Sequence, residues 1–435
     1  MPASQALIEA VQALWRIPRP GPDNLLSAPE FMALAEICNA EYGGGHPTFA
    51  LSGALRSLGL PCDLPKPQAH LALPPCQAAE ALAAAYQRKR ARRLHLCPLD
   101  TADELPALAF GSAQVRQYST EELAGLFDAT RLARNFPTRP LEVDRLAQFQ
   151  WLVVEERVQL DHSPERRAFP WLYENLARDY GAIDPHLGKF PPAVEGALAF
   201  LLLAPWEQWS TMQQVSWRGF RVPWIHTVSD DLFIRPSPPP SPDTLSLEPW
   251  IVTDNWGEDV ELERPTTIPL EDEAKPELEK FDAAAWQQFE HGRASALFET
   301  PIVHFLVRAF LADGMDEVMA HMTAIEASLG LKADHRNRPK TDPHKNLGAT
   351  KRVMARIAAL LGDVQAAADY KDLFEMRSAY VHGRRSLATV GTANRVRARS
   401  LARRIARALI DVATQPAQPR DVVMAQLLDK GAPML

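Results

Sequence analysis

In the last third of the chain, apolar residues recur at the three- and four-residue spacing that is typical of amphipathic α-helices. Glycines stand at positions where such helices end, as at Gly362 and Gly383. The pattern predicts five helices, at Pro301–Leu311, Glu317–Leu329, Leu347–Leu361, Asp369–His382 and Arg395–Ala413. Four or five such helices joined by short loops form a helical bundle, which we place at residues 286–415.

Residues 1–205 show a mostly helical pattern with a small β component. An alanine-rich run that ends in basic residues predicts a helix over Gln77–Arg93. Apolar residues at helical spacing predict another helix over Asp144–Val158. Ser119 and Glu122 have the spacing of a helix-capping box.

The segment 206–285 is rich in Pro and Trp, which excludes long helices and favours loops with short strands, for example within Phe220–Ile234. Residues 416–435 are expected to form a C-terminal tail. The predicted fold class is therefore mainly α, with a C-terminal α-helical bundle preceded by a larger α+β N-terminal region. We expect the tryptophans of this middle part to lie in the core rather than to stack on bases: Trp206, Trp209, Trp217 and Trp224.

The composition is that of a globular protein, with 46% hydrophobic and 23% charged residues among 435. Four cysteines in so long a chain do not make a disulfide framework, and their spacing contains no C-x2-C pair. The most apolar stretch, Ala197–Ala204, is much shorter than a membrane helix. The start of the chain lacks the pattern of a secretory signal. These features predict a soluble cytoplasmic protein.

The formal net charge of −7 conceals an asymmetry along the chain. Residues 331–435 carry 20 Lys and Arg against 9 Asp and Glu, so this part has a net charge of +11 and the remainder −18. A basic module attracts polyanions such as nucleic acid. Alternatively, the basic and acidic parts of the chain attract each other. The charge pattern alone leaves both interpretations open.

One helix of the predicted bundle ends in a candidate catalytic motif. Arg377 and His382 have the spacing R-x4-H, Ser378 follows the arginine, and Gly383 opens the next loop. The spacing itself is common, since it occurs four times: Arg90/His95, Arg157/His162, Arg221/His226 and Arg377/His382. Only the last pair lies in the basic bundle at the end of an amphipathic helix. The sequence contains no P-loop, dinucleotide-binding or H-E-x-x-H motif.

The segment Ala324–Leu329, the helix that ends in Arg-Ser-Ala-Tyr-Val-His-Gly and the basic last helix together resemble the HEPN superfamily, most closely its Apea-like branch. The resemblance covers roughly Phe298–Thr414. It implies an α-helical bundle that usually dimerises and, in active members, a metal-independent endoribonuclease. Many members keep the fold without cleaving RNA, so the fold alone does not establish activity.

By position, the resemblance makes Arg377 and His382 the catalytic pair and Ser378 the polar residue that follows the arginine. Glu326 matches the acidic residue of the family's "ALE" helix, where Ile325 replaces the usual leucine. Glu326 is expected to support the site by bonding to Arg377 or to a buried polar group. Tyr380 is a second supporting residue. The candidate RNA-binding residues are Arg384, Arg385, Arg399 and Arg403.

The chemistry suits RNA cleavage. Histidine titrates near neutral pH and acts as a base or an acid, whereas arginine stays charged and holds phosphate oxygens. No metal or cofactor is expected. Positions i and i+5 lie about 140° apart around a helix, so Arg377 and His382 of one chain do not stack. A two-fold interface would bring two such pairs into one cleft, which predicts a homodimer.

The resulting hypothesis is an RNA-cleaving effector of anti-phage defence (abortive infection) or a toxin, with the N-terminal region as sensor or regulator. Its partners would be RNA, with tRNA a reasonable target, and a phage trigger or an antitoxin, but no membrane. The alternative is a non-catalytic HEPN module that binds RNA, a nucleotide or a partner protein. In that case Arg377 only pairs with Glu375 or Asp372 at the surface, and His382 only caps its helix.

Overall fold

The computed structural model describes residues 2–18, 25–43, 48–160, 163–169, 179, 181–184, 187–253, 255–336, 342–383 and 389–435. The fold is mainly α, with an α+β region in the N-terminal part. The described strands are β1 Arg90–Leu99, β2 Leu108–Phe110, β3 Ala113–Gln117, β4 Gln150–Gln159, β5 His226–Ser229, β6 Leu247–Thr253 and β7 Asp259–Pro265. The described helices are α1 Gln5–Leu14, α2 Pro29–Tyr42, α3 Thr48–Ser57, α4 Pro75–Gln87, α5 Thr120–Leu126, α6 Ala129–Asn135, α7 Val143–Leu146, α8 Pro164–Ala168, α9 Pro192–Leu201, α10 Trp206–Trp209, α11 Ala274–Leu278, α12 Ala283–Arg293, α13 Ile302–Leu311, α14 Gly314–Leu329, α15 Ala349–Leu361, α16 Val364–Val381, α17 Thr392–Ala413 and α18 Arg420–Gly431.

Helices α1 to α4 form a small helical unit with its own hydrophobic core. Helix α1 begins at Ser4, whose hydroxyl accepts a hydrogen bond of 3.0 Å from the backbone N–H of Leu7. Leu7, Val11 and Leu14 recur at helical spacing and are fully buried. Phe233, from the loop after β5, also enters this core, which ties the unit to the sheet.

A five-stranded antiparallel sheet lies in the middle of the fold, with the strand order β2-β3-β4-β1-β5. Successive side chains of a strand point to opposite faces. Trp151 and Val153 of β4 therefore pack on one side with residues of α5 to α7. Leu152 and Val154 pack on the other side with α9 and the C-terminal helices.

The predicted helix over Asp144–Val158 is wrong. This part of the chain is helical only in α7, Val143–Leu146, and then forms strand β4. Leu146, Phe149, Leu152 and Val153 recur at helical spacing, but the consecutive apolar residues Trp151 to Val154 also fill both faces of a buried strand. Pairing with β1 and β3 decides in favour of the strand. The predicted Gln77–Arg93 helix likewise ends at Gln87, and β1 begins at Arg90.

The capping box at Ser119 is confirmed at the start of α5. The Ser119 hydroxyl accepts from the Glu122 backbone N–H at 3.2 Å, and the Glu122 carboxylate accepts from the Ser119 backbone N–H at 3.0 Å. The guanidinium of Arg116 also bonds the Glu122 carboxylate at 2.9 and 3.1 Å. The hydrogen bonds from Arg116 and from Ser119 together lower the pKa of Glu122 to about 2.

The five helices predicted for the last third of the chain are present as α13 to α17. The predicted tail 416–435 is wrong, because Arg420–Gly431 forms α18 and packs on α15. Val423, Met424 and Leu428 are buried in this contact. The Arg420 guanidinium also donates to the backbone oxygens of Leu297, Ala327 and Ser328, at 2.6–2.8 Å.

The Pro- and Trp-rich segment is part of the same core as the C-terminal helices. Trp206, Trp209 and Trp217 are buried there, as the core interpretation predicts, and Trp224 is half-buried against Trp151. Short strands are present as β5 and as the hairpin β6–β7. The hydrophobic core is therefore continuous from the sheet through this segment into α13–α18.

Candidate functional site

Helix α16 carries the candidate motif. Its first turn is capped by Asp363, whose carboxylate accepts from the Ala366 backbone N–H at 3.1 Å. Tyr370 and Leu373 are buried and fix the rotation of the helix against the bundle. The helix ends at Val381, followed by His382 at the C-cap position. Arg377 therefore lies one turn before the end, on a rigid element.

Arg377 contacts the supporting residue that the sequence predicts. Its guanidinium lies 3.0 Å from a carboxylate oxygen of Glu326 on α14, and both side chains are about 30% exposed. Partial burial raises the pKa of Glu326, although the positive charge of Arg377 opposes this shift. The surface pairing with Glu375 or Asp372 is not present, since these carboxylates lie 3.7 Å from Lys371 and Arg397 respectively.

A groove with a volume of about 530 Å³ opens beside this ion pair, between α14, α15 and α16. Glu326 and Arg377 line the groove, together with Lys332 and His335 from the turn that follows α14. The positive charge of His335, when protonated, contributes to the electrostatic environment of Glu326. Sequence analysis missed Lys332 and His335, because their only signal is a basic pair in a polar loop.

The turn that carries His335 is firmly held. The carboxylate of Asp334 is buried and bonds both terminal nitrogens of the buried Arg356, at 2.5 and 3.0 Å. It also accepts from the Leu331 backbone N–H at 3.0 Å. Burial by itself raises the pKa of Asp334, but the hydrogen bond and charge of Arg356 outweigh it and lower this pKa. A charged, fixed carboxylate therefore anchors this side of the groove.

The remaining motif residues lie at the exposed end of α16. His382 is exposed, Ser378 is half-buried, and Tyr380 and Val381 are 47% and 56% exposed. The His382 backbone N–H donates to the Ser378 carbonyl oxygen at 3.0 Å, so this residue occupies the C-cap position. Among the described residues, no hydrogen bond joins His382 to Arg377, and His382 does not line the groove. One chain alone does not bring the predicted catalytic pair together.

The predicted RNA-binding role of Arg399 and Arg403 is wrong. Both side chains are buried in α17 and pair with the fully buried Glu207 of α10, at 3.5 and 2.9 Å. Burial lowers the pKa of Arg399 to about 10, and Glu207 opposes this shift. Arg384 and Arg385 lie outside the described residues.

Other arginines of α17 are also neutralised by carboxylates. Arg395 bonds Glu317 at 2.5 Å, and Arg404 bonds Asp363 at 2.7 Å. Arg397 lies 3.2 Å from Asp369. The pairs of Arg395 with Glu317 and of Arg399 and Arg403 with Glu207 join the basic part of the chain to the acidic part, which supports the interpretation in which the two parts attract each other. Helix α17 is thus largely an internal element.

No family model, curated protein or solved structure matches this chain. Within the described ranges, no group of three or more His, Cys, Asp or Glu side chains is arranged to hold a metal ion. A search of the same residues finds no helix with the length and apolarity needed to cross a bilayer.

Proposed function

We propose that the protein is a metal-independent HEPN endoribonuclease with Arg377 and His382 as its catalytic residues. The observation that carries the proposal is the placement of the Arg377 guanidinium. Glu326 holds it at 3.0 Å beside an open groove, and His382 is five residues further on the same helix end. A fixed guanidinium and an exposed imidazole are the two kinds of group that phosphodiester transfer needs.

In the proposed reaction, a ribose 2′-oxygen attacks the adjacent phosphorus while an imidazole takes its proton. The bond from phosphorus to the 5′-oxygen breaks, and the leaving oxygen takes a proton from a general acid. The products are a 2′,3′-cyclic phosphate and a 5′-hydroxyl. Arg377 would stabilise the charge on the phosphate oxygens during this step. Glu326 would orient the guanidinium without contacting the RNA.

A homodimer would complete the site. Tyr380 and Val381 leave apolar surface exposed at the motif itself, and burying such surface favours association. Two-fold symmetry would place the exposed ends of two α16 helices together and thus bring each His382 near the partner subunit. This arrangement accounts for the separation of Arg377 and His382 within one chain.

The N-terminal region would then sense a trigger or restrain the nuclease, as expected of an anti-phage effector or a toxin that acts on RNA such as tRNA. Its contact with the bundle supports this role, because the ion pairs of Glu207 with α17 link the two parts directly. A change in the middle segment would therefore be transmitted to the helix that packs behind the candidate site.

The test is RNA cleavage by the purified full-length protein in EDTA. Arg377→Ala and His382→Ala should remove cleavage while the elution volume in size-exclusion chromatography stays that of wild type. His291→Ala, which changes an exposed histidine of α12, is the matched control and should cleave normally. Equal cleavage by wild type and both motif variants would reject the assignment.

The alternative is a non-catalytic HEPN module that binds RNA, a nucleotide or a partner protein. The neutralised arginines of α17 favour it, since they leave less positive surface for a long RNA. Under this alternative, overexpression is not toxic, or its toxicity is unchanged by His382→Ala. Under the nuclease proposal, overexpression is toxic and His382→Ala relieves it.

A further inference from the structure

A second cavity of about 530 Å³ lies in the N-terminal α+β region, well apart in sequence from the candidate nuclease site. Its floor is formed by β1 and β5 of the sheet, and its walls by α6, α8 and residues 234–237. A cavity of this volume suits a ligand of mononucleotide size. Its residues have no role in the proposed RNA cleavage.

Arginine side chains converge on this cavity. Four of them line it, namely Arg93, Arg131, Arg167 and Arg235. Three carboxylates lie among them: Asp128 and Glu156 in the lining and Asp231 behind Arg167, which it contacts at 3.2 Å. The groups at the cavity therefore carry an excess of one positive charge. A cavity with such an excess favours an anion.

Two of the four arginines, Arg131 and Arg167, are held in place by hydrogen bonds to the protein. Arg131 is buried and donates to backbone oxygens of the loop after β5, including those of Ser229 and Asp231 at 2.7 and 3.0 Å. Arg167 is held by Asp231. These two arginines build the wall of the cavity.

The other two arginines, Arg235 and Arg93, are less tightly held. Arg235 is exposed, makes no ion pair or hydrogen bond among the described residues, and only stacks over the Phe136 ring. Arg93 has a single long contact of 3.9 Å with Glu156. Of the four arginines that line the cavity, these two are therefore the more available to a ligand.

A buried imidazole faces the cavity without a partner. His226 is only 4% exposed and lines the cavity, and its side chain makes no hydrogen bond in the described part of the chain. Its ring stacks near that of Phe127, with the ring centres 5.3 Å apart. Burial lowers the pKa of His226 to about 4, so the imidazole is neutral at physiological pH. A neutral imidazole has one donor and one acceptor nitrogen, so it can form a hydrogen bond with a ligand in the cavity.

We propose that this cavity binds a small organic phosphate of mononucleotide size. The phosphate contacts Arg235 and Arg93, because guanidinium groups match phosphate oxygens in a bidentate fork. The ring of the ligand packs on the apolar wall formed by Leu132 and Ile234. His226 supplies one hydrogen bond.

The test is isothermal titration calorimetry of the full-length protein with AMP, GMP and UMP at constant ionic strength. We expect saturable binding of at least one nucleotide, and at least a tenfold weaker Kd in Arg235→Ala. Arg308→Ala, which removes an exposed arginine of α13, is the matched control and should bind like wild type. His226→Gln, with folding checked by circular dichroism, should also weaken binding.

Adenosine and inorganic phosphate separate the two parts of the ligand. Weaker binding of both than of the nucleotide supports the proposal. Adenosine that binds as tightly as AMP would overturn the role of the arginines, and inorganic phosphate that binds as tightly would overturn the role of the apolar wall. Absence of binding by all three nucleotides, or an unchanged Kd in Arg235→Ala, would also overturn the proposal. RNA cleavage is not measured in these experiments, so their failure leaves the nuclease proposal intact.

Discussion

Replacing Glu207 by Gln tests the view that the basic helix α17 is an internal structural element. Glu207 is fully buried and contacts the guanidinium groups of Arg399 and Arg403, which are also buried. Glutamine has nearly the same shape but no charge. The substitution therefore removes the negative charge and leaves two buried positive charges without their counter-ion.

The expected cost follows from the burial of all three groups. Removing one partner from a buried ion pair typically lowers the free energy of unfolding by about 3–5 kcal/mol. The whole stability of a domain is only about 5–15 kcal/mol, so Glu207→Gln should remove a large part of it. Some of the loss is recovered because the glutamine amide oxygen still accepts a hydrogen bond from Arg403.

Urea unfolding followed by tryptophan fluorescence is the appropriate assay, because Trp206, Trp209 and Trp217 are buried in the same region as the ion pairs. We expect a clear fall in the midpoint urea concentration for Glu207→Gln. Glu277→Gln is the matched control, since this carboxylate is exposed and pairs with Lys280 within one helix turn. The control should unfold at the wild-type midpoint.

A second variant separates stability from RNA binding. Arg403→Met should lower the unfolding midpoint and leave the affinity of the folded protein for RNA unchanged, because the Arg403 side chain is buried. Variants as stable as wild type that have lost affinity for RNA would refute this account. In that case Arg399 and Arg403 would form part of an RNA surface.

Three further outcomes are expected. His382→Ala should slow RNA cleavage about 100-fold or more. His335→Ala, which changes a residue of the groove, should have a smaller effect. If initial-rate measurements give the reverse order, the acid–base role belongs to His335 rather than to His382. Gly219→Ala should lower the thermal unfolding midpoint, because Gly219 has a φ of 73° and an added Cβ would lie 2.5 Å from the ring of Trp206; an unchanged midpoint would contradict the described packing. Burial lowers the pKa of His226 from 6.5 to about 4 in the folded protein. As the pH falls, His226 is therefore protonated in the unfolded chain first, and the free energy of unfolding should decrease between about pH 6.5 and 4. His226→Gln should flatten part of that slope in urea titrations at several pH values, and an unchanged slope would show that His226 does not contribute.

The contact between Arg377 and Glu326 is the part of the candidate site that was predicted from the sequence. The motif and the acidic position were both visible in the sequence, and the structure brings them to 3.0 Å. Nothing local predicted that His335 would line the same groove, since it lies 42 residues before Arg377 and its turn is held by the distant Arg356. Helix geometry predicts that Arg377 and His382 of one chain do not stack, because positions i and i+5 lie about 140° apart.

The sequence by itself determined the five helices α13 to α17, because apolar spacing and terminal glycines act over a few residues. It also determined the cap of α5 at Ser119. Only the tertiary structure decided that Gln150–Gln159 is a strand, because that choice depends on pairing with β1 and β3. The same holds for the arginines of α17, whose sequence does not distinguish an exposed basic face from a buried one. Arg403 is buried because Glu207, 196 residues earlier, supplies its counter-ion, and burial of a charge is decided by such distant partners.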